Sequence, residues 1–146
     1  MRYFTISELL HSDTAIARKI WNGANHEQEE SLTALVEKVL DPLRLFYGKP
    51  IRVSSGFRCP TLNRAVGGVS NSQHLRGEAA DLDTGSLAEN RKLAQLIVKN
   101  RLPFDQLIDE ANYAWIHVSH KRNGGNRGQI LRMRGGKYTI IKAEEL

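Results

Sequence analysis

Apolar residues at Leu32, Leu35, Val36, Val39, Leu40, Leu43 and Phe46 recur at intervals of three and four, the spacing that lines one face of a helix. The run predicts the longest helix of the chain over Glu27 to Phe46, ended by Gly48 and Pro50, with Pro42 either kinking or dividing it. Two capping-box spacings, Thr5 to Glu8 and Ser86 to Glu89, predict helix starts, because the first side chain and the fourth can satisfy each other's orphan backbone N–H groups. The second helix would put Leu87, Leu93, Leu96 and Ile97 on one face. Alternation replaces helical spacing elsewhere. IRVSSGF reads as a strand with Ile51 and Val53 inward, and DQLIDE and AWIHVSH read as two short strands joined around Asn112 in a hairpin. GQILRMR and KYTIIK flank Gly135 and Gly136, whose tolerance of positive φ predicts a second hairpin. Helices early and strands late, with short connections, predict an α+β fold of helices packed on a small antiparallel sheet, in a single domain over 1–146.

Composition changes this picture little. A chain of 146 residues with 21 Lys plus Arg against 16 Asp plus Glu carries a net charge of +5, which favours a mildly anionic partner. Cys59 is the only cysteine, so no intrachain disulfide exists, and without a paired histidine it reads as a small buried residue. Glu8 and Asp13 interrupt the first apolar stretch and no later run approaches membrane-spanning length. The expectation is a soluble chain with no export signal, cytoplasmic as synthesised, with no membrane contact.

The chemistry concentrates in SQHLRGEAADLD. His74 and Asp81 stand seven apart with Gly77 between them, so they cannot share a helix face, but a loop feeding a strand would converge them. A converging imidazole and carboxylate point to a metal. Zinc takes both at about 2.0–2.2 Å, and a catalytic zinc keeps three protein ligands and a water. His117 is the third candidate, because alternation in AWIHVSH sends Ile116 and Val118 to the core and His117 to the other face. Small Ala79 and Ala80 would let that strand pack close beside Asp81. A non-haem iron site also uses two histidines and a carboxylate, but it usually sets His and Asp two apart. His11, His26 and His120 read as surface or capping residues, and Asp83 as either a support for a ligand histidine or the start of a helix cap.

Three stretches in matching order, SGFR at Ser55 to Arg58, AVGGVSNSQHLRGEAADL at Ala65 to Leu82 and WIHVS at Trp115 to Ser119, together resemble the zinc D-Ala-D-Ala carboxypeptidase family, of the hedgehog/DD-peptidase fold. The likeness extends from FTISELLHSDTA near the start through Ser119 and includes VLDPLR. It implies zinc held by His74, Asp81 and His117. It also implies that Arg58 faces substrate, where a guanidinium can bind a carboxylate or polarise the scissile carbonyl. Ser72 matches a position whose hydroxyl contacts bound peptide, and equally reads as a turn cap.

Hydrolysis also needs a base. Many relatives carry it as ExxH, but Ala114 occupies that position here. The nearest acids are Asp109 and Glu110. Pairing Glu110 with Trp115 would put Glu110 on the metal face and Asp109 on the core side, and a slip of one residue would reverse them. Glu110 is taken as the base, since the QLIxE ending resembles the branch with WxHV in place of ExxH. Trp115 shares the face of His117 and either walls a cleft or packs in the core.

The expected activity is hydrolysis of a peptide bond in peptidoglycan stem peptides, as a carboxypeptidase or endopeptidase, and the rival is an inactive zinc-containing peptidoglycan- or protein-binding module. Seven basic residues and no acidic one lie between Lys121 and Lys142, a basic hairpin that would suit an anionic cell-wall polymer or simply a solvated face. Tyr138 is the lone aromatic there, which argues against nucleic acid. Size and the lack of an export signal fit a phage or prophage lysin, or an enzyme of recycled wall fragments.

Overall fold

The computed structural model describes residues 1–146. Thr5 caps α1 (Ile6–Leu10), its hydroxyl accepting from Glu8 N at 3.2 Å, and Ser12 likewise caps α2 (Asp13–Ala17). The long apolar run forms α3 (His26–Leu35), a π turn (Val36–Leu40) and α4 (Asp41–Tyr47). The π turn lies immediately before Pro42. In an unbroken α-helix the proline ring would strike the carbonyl four residues back; here Asp41 N–H instead reaches back to Val36 O and the turn widens. Beyond it the buried positions are Leu43 and Tyr47, and Phe46, predicted to be inward, is 50% exposed. The carboxylate of Asp41 ties down the N-terminal strand of chain by accepting from Arg2 N and Tyr3 N at 2.6 and 3.0 Å.

Strands β1 (Arg52–Ser55), β2 (Ala79–Asp83), β3 (Gln106–Glu110), β4 (Trp115–Ser119), β5 (Gln129–Arg134) and β6 (Lys137–Ile140) form one sheet in the order β1-β2-β4-β3-β5-β6. A short α5 (Pro60–Ala65) and a 3-10 turn (Gln73–Arg76) lie between β1 and β2, and α6 (Leu87–Lys99) follows β2. Ser86 caps α6 by accepting from Glu89 N at 3.2 Å. Its inward residues are Asn90, Leu93, Ala94 and Ile97, while Leu87, in the exposed first turn, faces solvent.

Both expected hairpins are present, with Glu110 opposite Trp115 and Arg134 opposite Lys137. The sheet is larger than the sequence predicted and is not purely antiparallel: β5 runs parallel to β3 in the register Gln106 with Gln129 to Glu110 with Met133. The connection from β4 explains it. Residues 120–128 pass over the starting end of β3, where Gly128 N and Gln129 N bond Phe104 O and Asp105 O at 3.1 and 2.9 Å. A short hop past one strand sets the next parallel to the strand it skipped.

The core lies on one face of this sheet, where Ala80, Leu82, Leu107, Ile116, Val118 and Ile130 pack against α3, α4 and α6. The opposite residues of the same strands form the face described next. No helix is long and apolar enough to cross a membrane.

Candidate metal centre

Asp81 on β2 lies directly across from His117 on β4, and His117 from Ile108 on β3, so one row of the sheet presents both polar groups to the same side. His74 reaches that side from the 3-10 turn. The turn is held by Ser72, whose hydroxyl accepts from His74 N at 3.2 Å, and by Gly77, which closes it at φ +72°. Gly77 also lies against α3, so closely that a Cβ there would stand 2.5 Å from Gln28 O. Near contact and left-handed backbone both call for glycine.

The result is a group of three buried residues, His74, Asp81 and His117, whose ligand atoms lie within 4.8 Å of one another. His74 Nδ1 is 2.6 Å from the carbonyl oxygen of Gly56. That oxygen only accepts, so Nδ1 carries a ring proton, and Nε2, 3.2 Å from Asp81 Oδ1, is the nitrogen open to a metal or to a second proton. His117 Nδ1 lies 3.2 Å from the same oxygen. Burial pushes the Asp81 carboxyl up, but the charge that the two rings carry when protonated, and their hydrogen bonds, outweigh it and hold Asp81 well below the usual carboxylate range. Two imidazoles and a carboxylate converging on one point are a donor set that fits zinc.

These residues sit in a cleft of about 620 Å³. Arg58, Ser72, Glu110 and Trp115 all line it, together with Leu131, Met133 and Tyr138 from the C-terminal hairpin. Arg58 is held in place by Ser55 Oγ and Asn63 Oδ1 at 3.0 and 3.2 Å, and its Nη2 stands 3.4 Å from Asp81 Oδ2. Glu110 projects into the cleft one row along from His117, and burial pushes its carboxyl up. Tyr138 Oη donates to Glu110 Oε1 across 3.5 Å.

Asp109 turns the other way. It is 0% exposed at its side chain and accepts from Tyr113 N, Arg132 Nε and Arg134 Nη2 at 2.8, 2.9 and 2.7 Å. Burial pushes its carboxyl up, and the two arginines and the backbone N–H more than offset that. The one-residue register that separates Asp109 from Glu110 thus gives one carboxylate a structural clamp and leaves the other facing the cleft.

Several residues behave differently from the expectations. His120, the residue after β4, is buried, with its backbone N bonded to Glu78 O at 2.9 Å and its Nδ1 2.5 Å from Pro103 O. Cys59 is half-buried, and its sulfur caps α5 by accepting from Leu62 N at 3.5 Å. Of the two readings of Asp83, the structure agrees with the one at the helix start: it accepts from Gly85 N and Asn90 Nδ2 at 2.8 and 3.0 Å, at the entry to α6, and touches no ligand histidine. Of the basic C-terminal residues, Arg122 pairs with Glu30, Arg127 with Asp105, and Arg132 and Arg134 with Asp109, partners that all lie outside the basic stretch. Sequence reading missed Gln73, whose Oε1 is 2.9 Å from His117 Nε2. Its only sequence signal is adjacency to His74.

Residues 2–119 match the family model described as Peptidase M15. A stretch of 38 residues is 60% identical to part of a zinc D-Ala-D-Ala carboxypeptidase of Streptomyces albus G, covering 26% of this chain and 15% of the length of that relative.

Proposed function

This chain belongs to the Peptidase M15 family, and from that premise we propose that it is a zinc peptidase hydrolysing a peptide bond in peptidoglycan stem peptides, built as one domain of the hedgehog/DD-peptidase type. The observation that carries the reading is the buried triad of His74, Asp81 and His117 beside a cleft-facing carboxylate. His74 Nε2, His117 Nδ1 and a carboxylate oxygen of Asp81 would hold the zinc. Zinc bound there supplies a Lewis acid and lowers the pKa of water toward about 7.

The remaining work falls to side chains. Glu110 accepts a proton from the attacking water at Oε and returns it to the leaving amine nitrogen, and burial, by raising its affinity for the proton, suits it to both steps. Arg58, anchored by Ser55 and Asn63, offers its guanidinium edge to a peptide carboxylate or to the scissile carbonyl oxygen. Ser72 keeps its hydroxyl hydrogen free to donate to bound peptide while its oxygen caps the 3-10 turn. Trp115, half-buried, forms a flat wall beside Glu110.

The test is elemental analysis of purified wild type and His74→Ala, followed by incubation of wild type and Glu110→Gln with peptidoglycan and mass spectrometry of the products. One zinc per wild-type chain, lost in His74→Ala, with a newly cut stem peptide that Glu110→Gln fails to release, supports the proposal. Zinc without product in the wild type supports the binding-module reading, which Ala114 at the ExxH position favours. No zinc after reconstitution overturns both.

A further inference from the structure

Behind His117 runs a polar chain that the hydrolytic roles above do not use. Gln73 faces His117 Nε2 with Oε1 at 2.9 Å, and its Nε2 donates to Asp105 Oδ2 at 2.9 Å. Asp105, 0% exposed, is in turn gripped by Arg127, whose backbone N and Nε reach Oδ1 at 3.0 Å each and whose Nη2 reaches Oδ2 at 2.8 Å. Lys121 Nζ stands 3.8 Å from Oδ2.

These contacts run in one direction only. Hydrogen bonds from Arg127 hold the Asp105 carboxyl down to about 2, so at neutral pH it is an anion that can only accept. Gln73 must therefore turn its amide nitrogen toward Asp105, since the reversed amide would set its oxygen against a carboxylate. That leaves Oε1, an acceptor, against His117 Nε2, which must then carry the ring proton. Nδ1, 3.2 Å from Asp81 Oδ1, is then the nitrogen that a metal would take, in place of any proton that the carboxylate draws there. His74 needs no such chain, because a backbone carbonyl fixes its tautomer directly.

We propose that Gln73 is a positioning residue that sets the tautomer of His117, carrying the direction imposed by the charge of Asp105 across to the imidazole so that Nδ1 stands ready as a metal donor. The inference rests on the reading of His117 as a zinc ligand. Groups that hold the outer nitrogen of a ligand histidine are typically worth about 10–100-fold in metal affinity. The loop 121–128, through Arg127, thereby becomes part of the support for the metal centre although it contributes no ligand.

Long-range 1H–15N NMR of the metal-free protein reads the tautomer of His117, and competition with a chromophoric chelator reads zinc affinity. In wild type Nε2 carries a proton, whether or not Nδ1 holds a second one against Asp81 Oδ1. Gln73→Leu mixes the tautomers and weakens zinc binding about 10–100-fold. Asp105→Asn, which leaves Gln73 and His117 untouched, frees the amide to reverse and also mixes the tautomers, a change that a purely structural role of Gln73 would not produce. Gln73→Glu made together with Asp105→Asn, whose amide can donate to the new carboxylate, keeps an acceptor toward His117 and restores the proton on Nε2. Should Gln73→Leu fail to fold, Asp105→Asn alone and combined with Gln73→Glu still decide the question. An unchanged tautomer in Asp105→Asn, or zinc affinity within twofold of wild type in a folded Gln73→Leu, overturns the inference. A wild type that takes up no zinc overturns the proposed function instead, and the tautomer measurement, made without metal, separates the two failures.

Discussion

Replacing Gly77 by alanine separates two costs that glycine avoids at that position. Gly77 closes the turn that carries His74 at φ +72°, and a Cβ there would meet Gln28 O at 2.5 Å and Leu32 Cγ at 3.2 Å. Gly85 supplies the control, since its φ is +86° but nothing lies within 4 Å of the Cβ position. Both alanine variants incur the left-handed backbone cost, about 1–2 kcal/mol. Both also gain the same few tenths to about 1 kcal/mol from a stiffer unfolded chain, which cancels when they are compared. Only Gly77→Ala must push a backbone carbonyl of α3 aside, an overpacking strain of about 1–3 kcal/mol. Gly77→Ala should therefore lose about 1–4.5 kcal/mol and Gly85→Ala about 0–1.5. Urea unfolding with an unchanged m-value measures both, and zinc affinity should fall only in Gly77→Ala, because the displaced turn carries His74. A stability difference between the two variants below about 0.5 kcal/mol, the ordinary range of surface substitutions, would refute the close-contact argument.

Three further outcomes are expected. Asp105 binds its proton near pH 2 when folded, against 3.8 as its ordinary value, so between these the unfolded chain holds more protons and stability falls as pH drops. The loss is about 2 kcal/mol between pH 5 and 2, and Asp105→Asn, already lacking it at neutral pH, should show a correspondingly shallower pH dependence in urea unfolding. Asp109→Asn removes the charge between Arg132 and Arg134 and should cost about 1–3 kcal/mol in the same assay, while zinc content stays unchanged because Asp109 faces away from the cleft. Removing zinc with a chelator should lower the melting temperature: at free zinc 100-fold above Kd, bound metal adds about 2.7 kcal/mol. For a chain of this size that is roughly 5–10 °C by calorimetry, and no shift would argue against the metal centre.

The parts of this molecule legible in the sequence are those whose signal is local. Thr5 and Ser86 cap helices because a hydroxyl and the N–H three residues on are adjacent in any chain that turns there. Glu110 falls opposite Trp115 because the short connection around Asn112 permits that register and the period-two pattern needs Ile116 and Val118 inward. His74, Asp81 and His117 gather for a related reason: the glycine and alanines between the first two leave room for the strand that bears the third. What escaped is non-local. No pattern in GQILRMR states which edge of the sheet it will join, so the parallel partnership of β5 with β3 was invisible. Phe46 and Tyr47 compete for one inward position, and the π turn before Pro42 intervenes before that choice is made. Gln73, Asp105 and Arg127 lie up to 54 residues apart and meet only through tertiary structure.

The placement of β5 and β6 at the far edge of the sheet has a consequence for how such a cleft can change. Strand β2 is bonded to β1 and β4, and β4 to β2 and β3, so the two ligand-bearing strands make no backbone bond to the C-terminal hairpin. That hairpin nevertheless brings Leu131, Met133 and Tyr138 to the cleft, from beyond the residues that match the family. One wall is therefore a replaceable part. Its side chains, its length and its turn can be rewritten to admit a different ligand while the donors that would hold the metal keep every strand neighbour they have.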